Sequence, residues 1–411
     1  MERTDIRDEA QALNARLVEW RRHLHKHPEL GFDTQNTAAF AAEQLEAMGA
    51  ADIKTGVGRG GLTAVIQGEK PGGVLGLRAD MDALPIHEET GLPFASSEEG
   101  KMHACGHDAH TAMLLGTAKL LSRHRAELKG AVKLIFQPAE EIGAGAVAMI
   151  RDGALESPRV DAIAGLHTGN FWTGASAGEI GYSRGALMAS ADMFTLSITG
   201  TGGHGAQPDR AVDPIAAACQ IYTAIQTIVS REVPPAQAAV VTVGTIQAGS
   251  AANIIPPSCT MQGTIRTLFP ETRTRIQERI REIAEGVAGA MRASASVKFT
   301  YGPPPVICDS GMTEKLIRAA GRIVGPEHVR PVDAPTMVAE DMAFFLEKVP
   351  GVFFWHPSAV GEGENYPHHH PKFTVNEEVL WTGTGTMTEL ALTWQEQVTP
   401  QPAAGRGQAL S

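Results

Sequence analysis

The stretch Lys101-Met102-His103-Ala104-Cys105-Gly106-His107-Asp108-Ala109-His110 packs three histidines, a cysteine and an aspartate into ten residues. It runs directly into an apolar segment, 109–121, with helical periodicity. A cysteine and a histidine two residues apart at a loop-to-helix junction can both face one point, as a metal site requires. An isolated Cys-x-His is ordinarily a structural cysteine beside surface histidines. Here that reading must also account for Gln137-Pro138-Ala139-Glu140-Glu141, Gly165-Leu166-His167 and Pro367-His368-His369-His370-Pro371. Each sets a hard or borderline ligand after a strand-like run or in a turn, and together they favour a metal centre.

Strands are needed to bring these segments together. Runs at 62–66, 73–77, 131–136 and 161–167 have strand character, and the last two end at Glu140-Glu141 and His167. The second runs into Arg78-Ala79-Asp80-Met81-Asp82, and open α/β sheets place their sites at such strand ends. Asp82 is expected to orient an imidazole, against the plainer reading of a solvated acidic turn. Adjacent glutamates on a solvated helix usually mean nothing. At a strand end, one can bind metal while its neighbour reaches a water.

His103-Ala104-Cys105-Gly106-His107-Asp108, Gln137-Pro138-Ala139-Glu140-Glu141 and Gly202-Gly203-His204 resemble the signatures of the aminoacylase/hippurate-hydrolase amidohydrolases. These form a branch of the di-metal exopeptidases that includes hydrolases of indole-acetyl-amino acid conjugates. The resemblance runs in chain order over about 20–380. It implies two divalent ions held by Cys105, His107, Glu141, His167 and His369, with Cys105 in the bridging place. The pattern His-x-Pro-x-Phe selects His369 from the three consecutive histidines, since Pro371 and Phe373 follow in register. It also implies Glu140 as general base, His204 as oxyanion donor, and Asn253 and Arg266 as holders of a substrate carboxylate. The planar fork of Arg266 suits that partner. Glu340-Asp341 resembles the family's acidic pair before a helix.

More distant relatives carry a histidine ligand where this chain has Asp80, so no ligand is expected there. The family often continues past His167 with aromatic and proline residues, where this chain reads Thr168-Gly169-Asn170-Phe171-Trp172, and it often has histidine at Asp209. The implied reaction is hydrolysis of an N-acyl or N-aroyl amino acid, with a dipeptidase or carboxypeptidase on the same centre as the alternative. A binding module that kept the fold is disfavoured by the intact Glu140 and ligand positions. Manganese, zinc, cobalt or nickel would suit the donors.

With 411 residues, two domains are the expectation. A 43% hydrophobic and 20% charged composition is that of a globular enzyme. A net charge of −11 argues against nucleic acid and anionic membrane as partners. No stretch is apolar enough to span a bilayer, Met1–Asp5 does not open a signal peptide, and scattered Cys105, Cys219, Cys259 and Cys308 form no disulfide framework. A cytoplasmic enzyme is expected.

In chain order, helices are predicted at 10–25 and 36–48, the latter with Asn36 as N-cap and Gly49 as terminator. His25 and His27 are expected at the surface end of the first helix. From 193 the pattern becomes strand 194–199, helix 214–229, strands 239–247 and 259–267, helix 272–292 and strand 296–300, a ferredoxin-like β-α-β-β-α-β order. The expected organisation is an α/β catalytic domain over 1–186 and 304–398, an inserted lid and dimerisation domain over 187–303, and a disordered tail over 399–411. The main sheet resumes at 352–355 and ends in a helix over 376–394. The lid has an edge strand and an amphipathic helix, 214–229, either of which could pair across a two-fold axis, and the resemblance implies a lid-to-lid homodimer in which His204 crosses into the partner's site.

Overall fold

The computed structural model describes residues 5–170, 172, 174–361 and 365–396. The predicted tail at 399–411 and Phe171 lie outside them.

Asp5 starts α1 (Ile6–Lys26), its side chain accepting the Arg7 N–H at 3.0 Å. The helix thus begins before the apolar stripe of Leu13, Leu17, Trp20 and Leu24 that announces it, because the cap rather than the stripe fixes the start. α2 (Gln35–Ala47) stops at Gly49, which has φ +71°, as expected. Asn36 is not its cap. Its N–H is taken instead by the Glu29 carboxylate at 3.2 Å, which also accepts from Thr37 at 2.8 Å.

The chain continues through β1 (Ala51–Val57), β2 (Gly61–Gln67), β3 (Lys70–Asp80), α3 (His107–Arg123), β4 (Lys129–Gln137), α4 (Gly145–Arg151), β5 (Ala162–Gly169), β6 (Ile180–Tyr182) and β7 (Ala186–Met188). The segment expected to form the lid then brings β8 (Asp192–Thr199), β9 (Gly203–His204), α5 (Pro214–Thr227), β10 (Ala239–Ala248), β11 (Ile254–Ile255), β12 (Ser258–Thr267), α6 (Pro270–Ala290) and β13 (Ser294–Tyr301). After it come β14 (Val306–Ile307), α7 (Ser310–Val324), β15 (Val329–Pro331), α8 (Met342–Leu346), β16 (Gly351–Pro357) and α9 (Leu380–Thr393).

Eight strands form the main sheet in the order β1-β2-β4-β3-β5-β16-β6-β15. β4, β3, β5 and β16 run parallel, so Asp80, Gln137, Gly169 and Pro357 end at the same edge. These strands are buried on both faces, which is why they read as continuous apolar runs. Helices α1, α3, α7 and α9 pack on one another to form its helical cover.

The lid sheet has the order β10-β12-β8-β13, all antiparallel, which is the ferredoxin-like arrangement. It has a core of its own, built from Phe194, Leu196, Ile198, Ile221, Ile225, Met261, Ile276 and Ile280. Among the described residues, no helix is long and apolar enough to cross a membrane.

Candidate metal centre

The parallel strand ends are tied together from beneath by Arg78. This buried guanidinium donates from Nε to Gln137 at 2.8 Å, from Nη1 to Asp80 at 2.6 Å, and from Nη2 to Glu340 at 2.9 Å and Asp341 at 3.0 Å. Asp341 also accepts from Gln137 Nε2 at 2.6 Å and from the Ala146 N–H at 2.9 Å. Asp80 turns its other oxygen to His110 Nδ1, 2.5 Å away. His110 Nε2 accepts the Thr168 N–H at 2.8 Å, so its Nδ1 carries the hydrogen given to Asp80. Both nitrogens of His110 are therefore committed, and it supplies no lone pair to a metal.

α3 starts at Gly106, whose φ of +89° belongs to glycine. A Cβ there would come within 2.9 Å of Thr168 Cγ2, so the residue between Cys105 and His107 is bound to be glycine. His107 donates Nδ1–H to the carbonyl oxygen of Asp82 at 2.8 Å, which leaves Nε2 facing inward. The Asp82 carboxylate stands 3.6 Å from that ring and does something else. It accepts the N–H groups of Glu140 at 3.0 Å and Glu141 at 3.2 Å. Asp82 thus orients the imidazole through its backbone and the two glutamates through its side chain.

Ala139, with φ +56°, turns the chain so that the glutamates after it diverge. Glu141 reaches His369 Nε2 at 3.3 Å and His107 Nε2 at 3.9 Å, and Glu140 lies 4.0 Å from His107 Nε2. His369, also left-handed at φ +65°, donates its N–H to the Ala104 carbonyl at 2.8 Å, tying it to the Cys105 loop. His167 gives Nδ1–H to the Thr168 carbonyl at 2.9 Å and turns Nε2 to Cys105 Sγ at 3.5 Å. Cys105, His107 and His167 form one cluster of mutually close donor atoms, and Cys105, Glu141 and His369 form a second that shares the sulfur. All five residues singled out as ligands are therefore brought together.

Two observations test the fit of metal ions here. His107 Nε2 and Glu141 Oε1 are buried and have no hydrogen-bond partner among the described residues, a costly arrangement unless a cation sits between them. Negative charge is also in excess. Burial, then Glu141, Glu140 and Asp80, push the Cys105 thiol well above its usual range. Burial and the charges of Glu340, Glu141 and Asp341 push Glu140 up likewise. Burial would lower His107, yet Asp80, Glu141 and Asp82 outweigh it and raise the imidazole to about 10. Cations would relieve all three. The donor set of thiolate, imidazole and carboxylate suits borderline divalent ions.

Above this floor opens a cavity of about 650 Å³, within the usual range for a small-molecule site. Glu140, Glu141, Cys105, His167 and His369 line its base, and Ile142, Met188, Ala191, Pro303 and Val338 its apolar walls. Glu340 also lines it, with Oε2 buried and unpartnered among the described residues.

The lid residues stand apart from this base. His204, on β9, and Asn253, in the turn before its partner strand β11, are exposed and do not line the cavity. His204 Nδ1 accepts the Ala206 N–H at 3.0 Å, which leaves its hydrogen on the outward Nε2. Arg266 sits half-buried at the hinge end of β12, where it reaches only the carbonyls of Ile265 at 3.1 Å and Asp192 at 3.4 Å among the described residues. Desolvation lowers its pKa, with the charge of Asp192 opposing. Asp209 is exposed in a short 3₁₀ turn.

A further expectation, after that for Asn36, fails. His25 is buried, not superficial, with Nδ1 2.8 Å from Asp108 and Nε2 3.1 Å from Glu88. Arg21 joins the same Asp108 at 2.8 Å, so the helix end is stitched to the residue after His107. Reasoning from the sequence also missed Arg78, His110 and Thr168. A charge inside the run 74–79 was the available signal, because a buried arginine requires partners. Thr168, at the departure from the family pattern, is a buried hub whose hydroxyl meets His356 at 2.9 Å.

The description "Peptidase family M20/M25/M40" matches residues 76–393. N-acetylcysteine deacetylase of Bacillus subtilis is 43% identical over 387 residues, covering 93% of this chain and 97% of its own. Thermostable carboxypeptidase 1 of Saccharolobus solfataricus is 37% identical over 385 residues, covering 92% and 95%. Among solved structures, the Bacillus subtilis YXEP protein, a dinuclear metal binding peptidase, superposes with a TM-score of 0.81 at 40% identity, covering 93% of this chain and 98% of that one.

Proposed function

The chain belongs to the peptidase family M20/M25/M40, and we propose that it hydrolyses N-acyl or N-aroyl amino acids to a carboxylic acid and a free amino acid. The observation that carries this reading is the pair of buried, unpartnered ligand atoms, His107 Nε2 and Glu141 Oε1, beside Glu140 at the base of an apolar cavity. Relatives named N-acetylcysteine deacetylase and thermostable carboxypeptidase support the reaction class.

In this reading Cys105, His107, Glu141, His167 and His369 would hold two divalent ions. Such ions would lower the pKa of a nearby water toward about 7 and polarise the scissile carbonyl. Glu140 takes the water's proton and delivers it to the leaving nitrogen. The acyl group lies against Ile142, Met188 and Val338, and the amino acid carboxylate is met by Arg266 and Asn253. His204 donates Nε2–H to the developing oxyanion, typically worth about 3 kcal/mol. Because His204 and Asn253 lie on the exposed lid surface, they serve the site of a partner chain in a homodimer.

Ile215 and Tyr222 on α5 and Ile246 on the edge strand β10 are exposed apolar side chains that such a dimer would cover. The lid limits, 187 and 303, are part of the reading, as is a cytoplasmic setting that keeps Cys105 reduced. Manganese and zinc are the ions we favour, with cobalt and nickel also suited to these donors.

Glu340 supports a second reading. Its unpartnered Oε2 could meet the free α-amine of a dipeptide. One panel separates the two: N-acetyl and N-benzoyl amino acids, their C-terminal amides, and glycyl dipeptides, assayed by amine release with metal content measured in parallel. Acyl substrates should be cleaved fastest and their amides far more slowly, since losing a charged hydrogen bond costs about 1.5–3 kcal/mol. Faster cleavage of dipeptides would overturn the acyl assignment in favour of the second reading.

A further inference from the structure

We propose that His368 is a positioning residue, which donates its Nδ1–H to the Cys105 sulfur and sets the charge of that ligand without itself holding a metal. The proposal rests on the di-metal reading of the site. Cys105 Sγ lies between two imidazole nitrogens at equal distance, His167 Nε2 at 3.5 Å and His368 Nδ1 at 3.5 Å. Their hydrogens are fixed differently. His167 gives its Nδ1–H to the Thr168 carbonyl at 2.9 Å, so the nitrogen toward sulfur carries a bare lone pair. His368 Nε2 accepts the Asn170 N–H at 3.0 Å, so its hydrogen is on Nδ1 and points at sulfur. One imidazole is a ligand and the other a donor.

The seat of His368 is built for that orientation. Gly169, at φ +143°, passes under the ring, and a Cβ there would overlap His368 Nε2. Phe373 flanks the ring at a centroid distance of 4.7 Å, and His167 at 5.2 Å. Ligation through Nδ1 would require the ring to lose its only hydrogen while Nε2 still accepts one, an imidazolate that nothing else here demands. His369, the next residue, faces Glu141 instead. A hydrogen bond to a ligating sulfur withdraws electron density from it. In a cluster already crowded by Asp80, Glu140 and Glu141, that keeps the sulfur a weaker donor and the metals more acidic.

The test uses the full-length protein loaded with cobalt(II) as the probe. Wild type, His368→Phe and His368→Asn should each bind two cobalt ions per chain. The sulfur-to-cobalt charge-transfer band should move to longer wavelength in His368→Phe, where the donor is gone. His368→Asn, whose amide can still donate, should fall between the two. An unmoved band in fully loaded His368→Phe would overturn the proposal, and so would loss of one cobalt, which would make His368 a ligand. Failure of the wild type to take up two cobalt ions would instead sink the di-metal reading. Should His368→Phe not fold, long-range ¹H–¹⁵N histidine spectra of wild type loaded with diamagnetic zinc decide the matter. A neutral ring with its hydrogen on Nδ1, absent from the spectrum of His368→Asn, is expected, and a hydrogen on Nε2 overturns the proposal.

Discussion

Arg78 and Glu340 meet at 2.9 Å beneath the site, and the same guanidinium holds Asp80, Asp341 and Gln137. Arg78→Met would leave three buried carboxylates around an apolar side chain. Removing one member of a buried ion cluster costs about 3–5 kcal/mol, so urea unfolding should show a loss of that size. Arg78→Lys should recover only part of it, since one ammonium cannot reach all four acceptors. Unchanged midpoints in both variants would remove Arg78 from its role.

Asp108 predicts the acid limb of stability. Burial alone would raise its carboxyl, but Arg21 and His25 outweigh burial and hold it well below the usual range. Its stabilisation is thus fully present above the unfolded value near 4 and drains away as pH falls below it toward the folded value. Wild type should lose stability progressively below about pH 4. Asp108→Asn should be less stable at neutral pH and show a flatter acid limb. Parallel limbs in the two proteins would reject this assignment.

Glu140→Gln should abolish turnover while metal content stays at two ions per chain. More than a few per cent residual rate would place the base elsewhere.

Cys105 carries a different signature. Cys105→Ala should lose metal, and mild peroxide should inactivate wild type through its sulfur. Full metal content in Cys105→Ala would refute the bridging role.

His204→Ala and Glu140→Ala should each be nearly inactive alone. Refolded together in equal amounts, half the dimers are mixed and each has one complete site, so roughly a quarter of wild-type activity should return. Demonstrably mixed but inactive dimers would mean that His204 does not serve a partner's site.

The strands bearing the ligands were legible because both their faces are buried, which writes continuous apolar runs into 131–136 and 161–167. The lid was legible for the opposite reason: its strands alternate, one face covered and one wet. What stayed hidden depends on partners distant in sequence. β1 is largely exposed and offers no apolar pattern. His25 looked superficial because Asp108 and Glu88, its partners, arrive from other segments. The difference between the Asp82 carboxylate and its carbonyl is likewise a matter of local backbone direction, to which residue type is blind.

The chain passes twice, side by side, between the segment β8–β13 and the elements of the main sheet. Ala191 donates to the Pro303 carbonyl at 3.0 Å, and Asp192 clamps the lid end of both passages through Arg273, Gln277 and the Gly302 N–H. Ala191 and Pro303, bonded to each other at this double crossing, are also cavity walls, so the two covalent passages between the parts of the chain border the space above Cys105 and His167.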